Sequence, residues 1–494
     1  MVSKTYRAWT PTQSYLLPPS PAEWLPEGHL AFFLLEVIAT LDLSAIEREI
    51  ARKDPRGEKP YSPRMLTALL LYGYAVGVFS SRKMAKATYE DVAFRVLCGE
   101  SHPHFTTINQ FRLDHGERLA GLFVQVLRMC ERAGLVKLGH VALDGTKIMA
   151  NASKHKAMSH ERMTKDEARL KAEVEALLAR AEQVDQEEDE RYGVGVDPTD
   201  LPAELQRRET RIARIREIKA ELEREAAEAR AAELRENANG QSQRASDPAV
   251  DDVERQRAAT RARKSREQAK KLDGRDDDNS DGGSNLSLPF HRVPHKPDGT
   301  PTPDAQRNFT DADSRIMVSG GAFVQAYNAQ IAVDAESQVI VAEAVTNQPP
   351  DVEHLAPMLK RLCTNTDGRA PVNLSADSGY FSKNNVAACR ARGIDAFIAV
   401  GRTKHNAQEP LPEHHDPAKA AMAQKLSTPE GRALYARRKV IAEPPFGQIK
   451  TERGFRRFSL RGLGKVRPEW TFVCLTHNLL KLFRSGWTPA LAGA

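Results

Sequence analysis

Residues Phe323–Val345, FVQAYNAQIAVDAESQVIVAEAV, alternate in a period of two. Tyr327, Ala329, Ile331 and Val333 fall on one face and Asn328 and Gln330 on the other, the pattern of a strand with one face in a core. The DAES turn, Asp334–Ser337, then predicts a hairpin to a second strand. Downstream, DVEHLAPMLKRLC (351–363) reads as a helix and APVNLSADSGYFS (370–382) as a strand ending at Asp377. SKNNVAACRARG (382–393) reads as a helix and IDAFIAV (394–400) as a strand. Far upstream, HVALDGTKIMANAS (140–153) predicts a buried strand with Asp144 at its middle. These elements describe an α/β fold built on a mixed sheet. A carboxylate inside a strand is costly unless a cation or a partner compensates it.

The rest of the chain differs in character. Residues 1–135 predict an all-α domain: Ser62 and Pro63 open one helical stretch, and Thr106 or Thr107 caps a long amphipathic helix that Gly134 stops. Arg82, Lys83 and Arg112 near helix ends suit a helix-turn-helix-like DNA reader, although an ordinary bundle with solvated cations fits equally. Residues 136–157 hold the first strand. Within 158–237, Met163, Leu170, Val174, Leu177, Ala181 and Val184 keep heptad spacing, as do Leu205, Ile212, Ile215, Leu222, Ala226 and Ala229. An antiparallel coiled-coil hairpin is expected there. Residues 238–288 are polar, then basic, then acidic, and predict a disordered linker. Residues 289–485 carry the remaining strands.

Composition excludes several classes. At 40% hydrophobic and 28% charged, the 494 residues are neither collagen-like nor a disulfide scaffold. No apolar run approaches the roughly 18 residues that cross a bilayer, and the first residues lack the apolar stretch of a secretory signal, so no membrane is expected. Five cysteines, none in a CxxC pair, fit a reducing cytoplasm. The net charge of +6 says little until its distribution is considered.

Between Arg432 and Arg467 stand eleven Lys or Arg against two acids, Glu443 and Glu452, with Tyr435, Phe446, Phe455 and Phe458 interleaved. A phosphate backbone attracts such a segment, while a solvated basic helix fits the count alone. Glu443 lies in the apolar setting VIAEPPFG. Asp144, Asp377 and Glu443 make three carboxylates on separate elements, with no Cys or His cluster among them. Oxygen donors alone suit Mg²⁺ or Mn²⁺, and two such ions serve phosphodiester chemistry. Ser378 or Ser382 as a nucleophile lacks a placed histidine, and His414 and His415 in a proline-rich loop read as surface.

The residues resemble bacterial insertion-sequence transposases of the DDE class, whose catalytic domain is RNase H-like. ALDGTKIMANAS (142–153) is similar to the family's first-aspartate strand, and LSADSGYFS (374–382) to its second-aspartate segment. YARRKVIAEPPFGQIKTERGFRRFSLRGL (435–463) is similar to its Tyr–Arg–Glu–Lys helix. The N-terminal stretches 16–37, 54–83 and 104–112 resemble the helical domain of one branch. The resemblance implies Asp144, Asp377 and Glu443 as the metal-binding catalytic triad, holding two Mg²⁺ or Mn²⁺ ions. It implies Tyr435, Arg438 and Lys450 as DNA contacts, with Lys439, Arg453, Arg456, Arg457 and Arg461 in the same basic segment. Arg438 precedes Glu443 by one residue more than the family pattern, so Lys439 competes for its role. Glu452 competes with Glu443 but lacks the Tyr and Arg spacing. The coiled-coil hairpin becomes an insertion between the first and second sheet strands.

The implied activity is metal-dependent cleavage of double-stranded DNA at terminal inverted repeats and strand transfer into target DNA, by at least a homodimer when two ends are joined. A DNA-binding relic and a purely hydrolytic nuclease are the rival readings.

Overall fold

Among the described residues eight strands form: β1 (His140–Met149), β2 (Ala157–Ser159), β3 (Gln306–Asn308), β4 (Arg315–Ser319), β5 (Ala322–Asp334), β6 (Ile340–Thr346), β7 (Asn373–Ala376) and β8 (Asp395–Ile398). They come from a computed structural model that describes residues 20–52, 59–192, 203–274, 288–401 and 416–489, with backbone alone for 177–192 and 203–207. The chain falls into two units. One comprises Met1–Leu135, Gln448–Phe455 and Phe472–Ala494, and the other Val136–Gly447 and Arg456–Thr471.

In the second unit β1 is central. It pairs antiparallel with β5, Asp144 opposite Ile331, and parallel with β7, Leu143 opposite Ala376. β8 extends the parallel side, while β4 and β6 share the far edge of the long β5. The β5–β6 hairpin turns at Asp334, as its alternation predicts. The path β6-β5-β1-β7-β8, antiparallel on one side of β1 and parallel on the other, is the mixed sheet of an RNase H-like fold. Both faces are covered: Asn328 and Gln330 are as buried as Tyr327 and Ile331, each at 0% exposure. β2 and β3 form a separate two-stranded ladder.

Three long helices lie between β2 and β3. Helices His160–Tyr192 and Ala203–Ser246 pack through Met163 and Leu170 against Ile212, Ile215, Ile218, Leu222 and Ala226, with Val293 and Ala305 from the returning chain. Leu177, Ala181, Val184 and Leu205 of the heptad pattern lie outside the described side chains. The expected linker at 238–288 needs correcting. The second helix continues to Ser246, and Asp252–Asp273 form a third. Asp251 caps that third helix through the Val253 and Glu254 amides. Its Ala258, Ala262 and Ala269 are buried, and Arg235 forks onto Asp273 at 2.6 and 3.0 Å. Small side chains let this highly charged helix pack closely, so its charge count misreads it as unstructured.

The first unit is helical. Its core holds Leu69, Tyr74, Phe94 and Ile108, and Tyr74 and Phe472 meet edge-on at 5.1 Å. Ser62 stands at the N-cap with Pro63 in the first turn. The predicted long helix is two, Phe105–Asp114 and Gly116–Arg132, separated at the buried His115. His104 caps the first through Nδ1, in place of Thr106 or Thr107. Gly134, at φ +73°, stops the second. At Gly77, φ +82°, an added Cβ would stand 2.6 Å from the Arg453 carbonyl oxygen, so only glycine fits.

Candidate active site

The register that joins β1 to β7 also joins their acids. Leu143 pairs with Ala376, the last residue of β7, and the residue that follows each is Asp144 on β1 and Asp377 just past β7. Parallel neighbours lie about 4.8 Å apart, so two carboxylates leave the sheet at adjacent positions. Gly145 donates its amide to Asp144 Oδ1 at 2.9 Å, and Gly379 donates to Asp377 Oδ1 at 2.9 Å. Helix Pro429–Gly447 lies against β1, β5, β7 and β8 and delivers Arg438, whose Nη1 donates to Asp144 Oδ2 at 3.1 Å. Burial nevertheless pushes the Asp144 carboxyl up to about 6. The guanidinium and the Gly145 amide pull it down, while Asp377 and Asp351 push it up.

A third carboxylate is close by, and it is Asp351, which sequence reading missed. An added Cβ on Gly379 would lie 3.1 Å from Asp377 Oδ1 and 3.6 Å from Asp351 Oδ2, so the two acids flank one point. Asp351 Oδ1 accepts from Asn328 Nδ2 at 2.7 Å and Gln330 Nε2 at 2.9 Å, and Lys147 Nζ stands at 3.4 Å. The fully buried Tyr380 donates to Gln330 Oε1. Desolvation holds the Tyr380 hydroxyl protonated well above its usual range. Two amides two residues apart on one face of a strand were the available signal.

Glu443 lies on the Arg438 helix but is exposed, whereas its neighbours Ile441 and Ala442 are buried. Its side chain makes no ion pair among the described residues. Nor do three His, Cys, Asp or Glu side chains form a ready-made cation cage among them. The apolar setting read from VIAEPPFG therefore belongs to the neighbours of Glu443. Pro444 and Pro445 continue the helix and cannot donate backward, and the Val440 carbonyl so released accepts from Gln338 Nε2 at 2.8 Å.

The basic residues divide. Tyr435 is half-buried, its ring centroid 6.0 Å from the Arg438 guanidinium carbon, and Lys439 is exposed. Arg456, Arg457 and Arg461 are exposed in a segment bound to the end of β1: Met149 donates to the Arg456 carbonyl at 3.1 Å, and Phe458 to that of Met149 at 2.9 Å. Arg82 and Lys83 are exposed on the first turn of helix Ser81–Glu90, with Arg82 over the Phe105 ring. Lys450 is half-buried in the π-helical turn Gln448–Glu452 of the first unit, where Glu452 is exposed.

Two expected DNA contacts need correcting. Arg453 is 7% exposed and donates to the Val473 carbonyl and, at 2.8 Å, to Thr476 Oγ1; burial pulls its guanidinium down to about 10. Arg112 turns inward to Tyr74 Oη at 3.1 Å, the Phe79 carbonyl and Asn109 Oδ1. Both hold their own unit together. Ser382 caps the following helix through the Asn385 amide, and His414 and His415 lie outside the described residues.

The donor chemistry suits a hard divalent cation. Asp144 and Asp377 are adjacent oxygen donors, Asp377 Oδ2 accepts nothing among the described residues, and Asp144 is undercompensated by its arginine. No helix among the described residues is long and apolar enough to cross a membrane.

Two families match the chain. Residues 20–114 match the family described as Transposase domain (DUF772), and residues 291–479 match Transposase DDE domain. No curated protein and no solved structure matches.

Proposed function

We propose, from the premise that the chain belongs to the DDE transposases of insertion sequences, that Asp144, Asp377 and Glu443 together hold Mg²⁺ or Mn²⁺, two ions in all, at the cleaved phosphodiester. The family acts in DNA transposition, binds DNA and depends on a divalent metal. When bound, the ions supply Lewis-acid stabilisation of the reacting phosphate and a more acidic water. The remaining work falls to the chain's own residues.

The adjacency of Asp144 and Asp377 carries this reading. Two carboxylates so close, one buried and raised, are poorly compensated by one arginine and call for further positive charge. Glu443 is the acid that can complete them, since it rides on the helix that already delivers Arg438 to Asp144 and has no ion-pair partner among the described residues. Arg438 holds Asp144 in place, Tyr435 stands beside Arg438, and Asp351 fixes Gln330 and Asn328 beneath the acids. Lys439, Lys450, Arg456, Arg457, Arg461, Arg82 and Lys83 supply phosphate contacts.

In the reaction proposed, water attacks the phosphorus at the element's end. The bond from phosphorus to O3′ breaks, the water's proton passes to solvent, and the departing O3′ takes up a proton from solvent. The freed 3′-hydroxyl then gives up its proton and attacks a target phosphorus in line, and the second O3′ it displaces takes up a proton, with no protein–DNA covalent bond. Joining two ends to one target calls for at least two copies of the chain.

The test is nicking and joining of a duplex carrying the repeats that flank the coding region, with Mg²⁺, by wild type and by Asp144→Asn, Asp377→Asn and Glu443→Gln. Each variant should bind the duplex and neither nick nor join it. Nicking by wild type without joined product would leave a hydrolytic nuclease, and binding without any nicking a relic. Normal cleavage by Glu443→Gln would remove that residue from the triad.

A further inference from the structure

Beside the end of β1 lies an open groove of about 720 Å³ in the second unit. Lys154, His155, Lys156, Arg457 and Arg461 line it, and none of its lining residues is Asp or Glu. In a chain with 66 acids against 72 Lys and Arg, such a one-signed wall is a local arrangement and not the average surface. Lys154, Lys156, Arg457 and Arg461 are all exposed, and the lysines make no ion pair among the described residues.

The backbone beneath is braced. Arg461 Nε donates to the Asn151 carbonyl at 2.9 Å, Asn151 Nδ2 to the Ser459 carbonyl at 2.8 Å, and Asn308 Nδ2 to the Ser153 carbonyl at 2.8 Å. The cations thus stand on a fixed floor, so little ordering would be needed to use them. At the lip, the β4–β5 hairpin holds Phe323 64% exposed and its cross-strand partner Val318 57% exposed. An exposed aromatic beside clustered cations is poor surface chemistry but a good match for sugars and base edges next to phosphates.

We propose that this groove binds duplex DNA on one flank of the cleavage position, its cations on the phosphodiester backbone and Phe323 against the sugar and base edges. The proposal rests on the transposase reading for the place of cleavage. Met149, at the groove, is five residues along β1 from Asp144. At about 3.3 Å per residue that is roughly 17 Å, or about five base pairs of duplex. The groove therefore grips DNA about half a helical turn from the reacting phosphate.

The test uses the full-length chain, a short labelled duplex and EDTA, so that no divalent ion takes part. A photo-crosslinking benzoylphenylalanine replaces Phe323 or, as a control, Val372, which is 63% exposed and outside the groove. Position 323 should crosslink to DNA and position 372 should not. Lys154→Glu with Lys156→Glu should weaken binding at least about tenfold and reduce the slope of log affinity against log salt by about 2, with unchanged circular dichroism. Equal crosslinking at both positions, crosslinking of 323 to a second copy of the chain, or an unchanged salt slope would each overturn the proposal. Failure of Mg²⁺-dependent cleavage with both readouts intact would instead remove the catalytic reading and leave the groove.

Discussion

Arg438 Nη1 lies 3.1 Å from Asp144 Oδ2, with both side chains about 15% exposed or less. The guanidinium holds the carboxylate of the central strand in one orientation and partly offsets its burial. Spacing along the helix left either Arg438 or Lys439 as the DNA-contacting basic residue; of the two, Arg438 reaches Asp144 and Lys439 is exposed. Arg438→Gln should lower the rate of end nicking at least about 100-fold, the scale of losing one aimed donor in an active site. Lys439→Gln should cost less than about fivefold. Nicking rates at saturating Mg²⁺, with DNA affinity measured alongside, check the pair. Equal losses would return the two residues to the same standing.

Asp351 gathers Asn328, Gln330 and Lys147 on a single oxygen. In Asp351→Asn those donors face a neutral amide, and the buried ones lose a charged acceptor worth about 1–3 kcal/mol. Activity should fall about 10- to 100-fold, as for residues that orient metal ligands, while DNA affinity stays within about twofold. With Fe²⁺ substituted, hydroxyl-radical cleavage of the chain should still map beside Asp144 and Asp377. Loss of that pattern would make Asp351 a ligand in its own right.

The sheet was legible because Tyr327, Ala329 and Ile331 repeat at the strand period, and Asp144 and Asp377 because a carboxylate on a strand demands a reason. Asp351 was not, since the alternation only set Asn328 and Gln330 on the face opposite Tyr327 and could not show that this face is buried too. Arg112 and Arg453 have the same chemistry as surface cations, and only the burial of Arg453 and the inward hydrogen bonds of Arg112 distinguish them. The Asp252–Asp273 helix hid for the converse reason: its packing stripe is alanine, which hydrophobic patterning barely registers. Glu443 was singled out by its basic surroundings, its apolar neighbours and its family-like spacing to Lys450, none of which fixes where its carboxylate points.

Gly145 follows Asp144, and a Cβ there would stand 2.3 Å from Gln330 Nε2 and 3.0 Å from Tyr380 Oη. Gln330 cannot give way cheaply, since it bonds Asp351, Asn328 and Tyr380 at once. Gly145→Ala should destabilise the chain by about 2 kcal/mol, the usual scale of overpacking, read as a lower urea midpoint at unchanged slope. An unchanged midpoint would show that the Gln330 network is looser than its bonds imply.

His140 begins β1 at 3% exposure, its Nε2 3.0 Å from Ser375 Oγ and its Nδ1 without a hydrogen-bond partner among the described residues. Burial, helped by the charge of Arg437, pushes the imidazole down to about 4 from an ordinary 6.5. The unfolded chain therefore takes up a proton between pH 6.5 and 4 that the folded chain refuses. Folding stability is then fully present above pH 6.5 and lost as the pH falls through that window, by up to about 1.4 kcal/mol per pH unit for this one group. His291 and His354, also held near 4, act with the same sign, whereas Asp144 at about 6 opposes them. Those contributions are common to wild type and His140→Gln and cancel in the difference. Urea melts between pH 6.5 and 4.5 should show a shallower acid loss for His140→Gln, even though its absolute stability at pH 7 is lower. Parallel pH profiles for the two proteins would mean that His140 accepts its proton in the folded state at its ordinary pH.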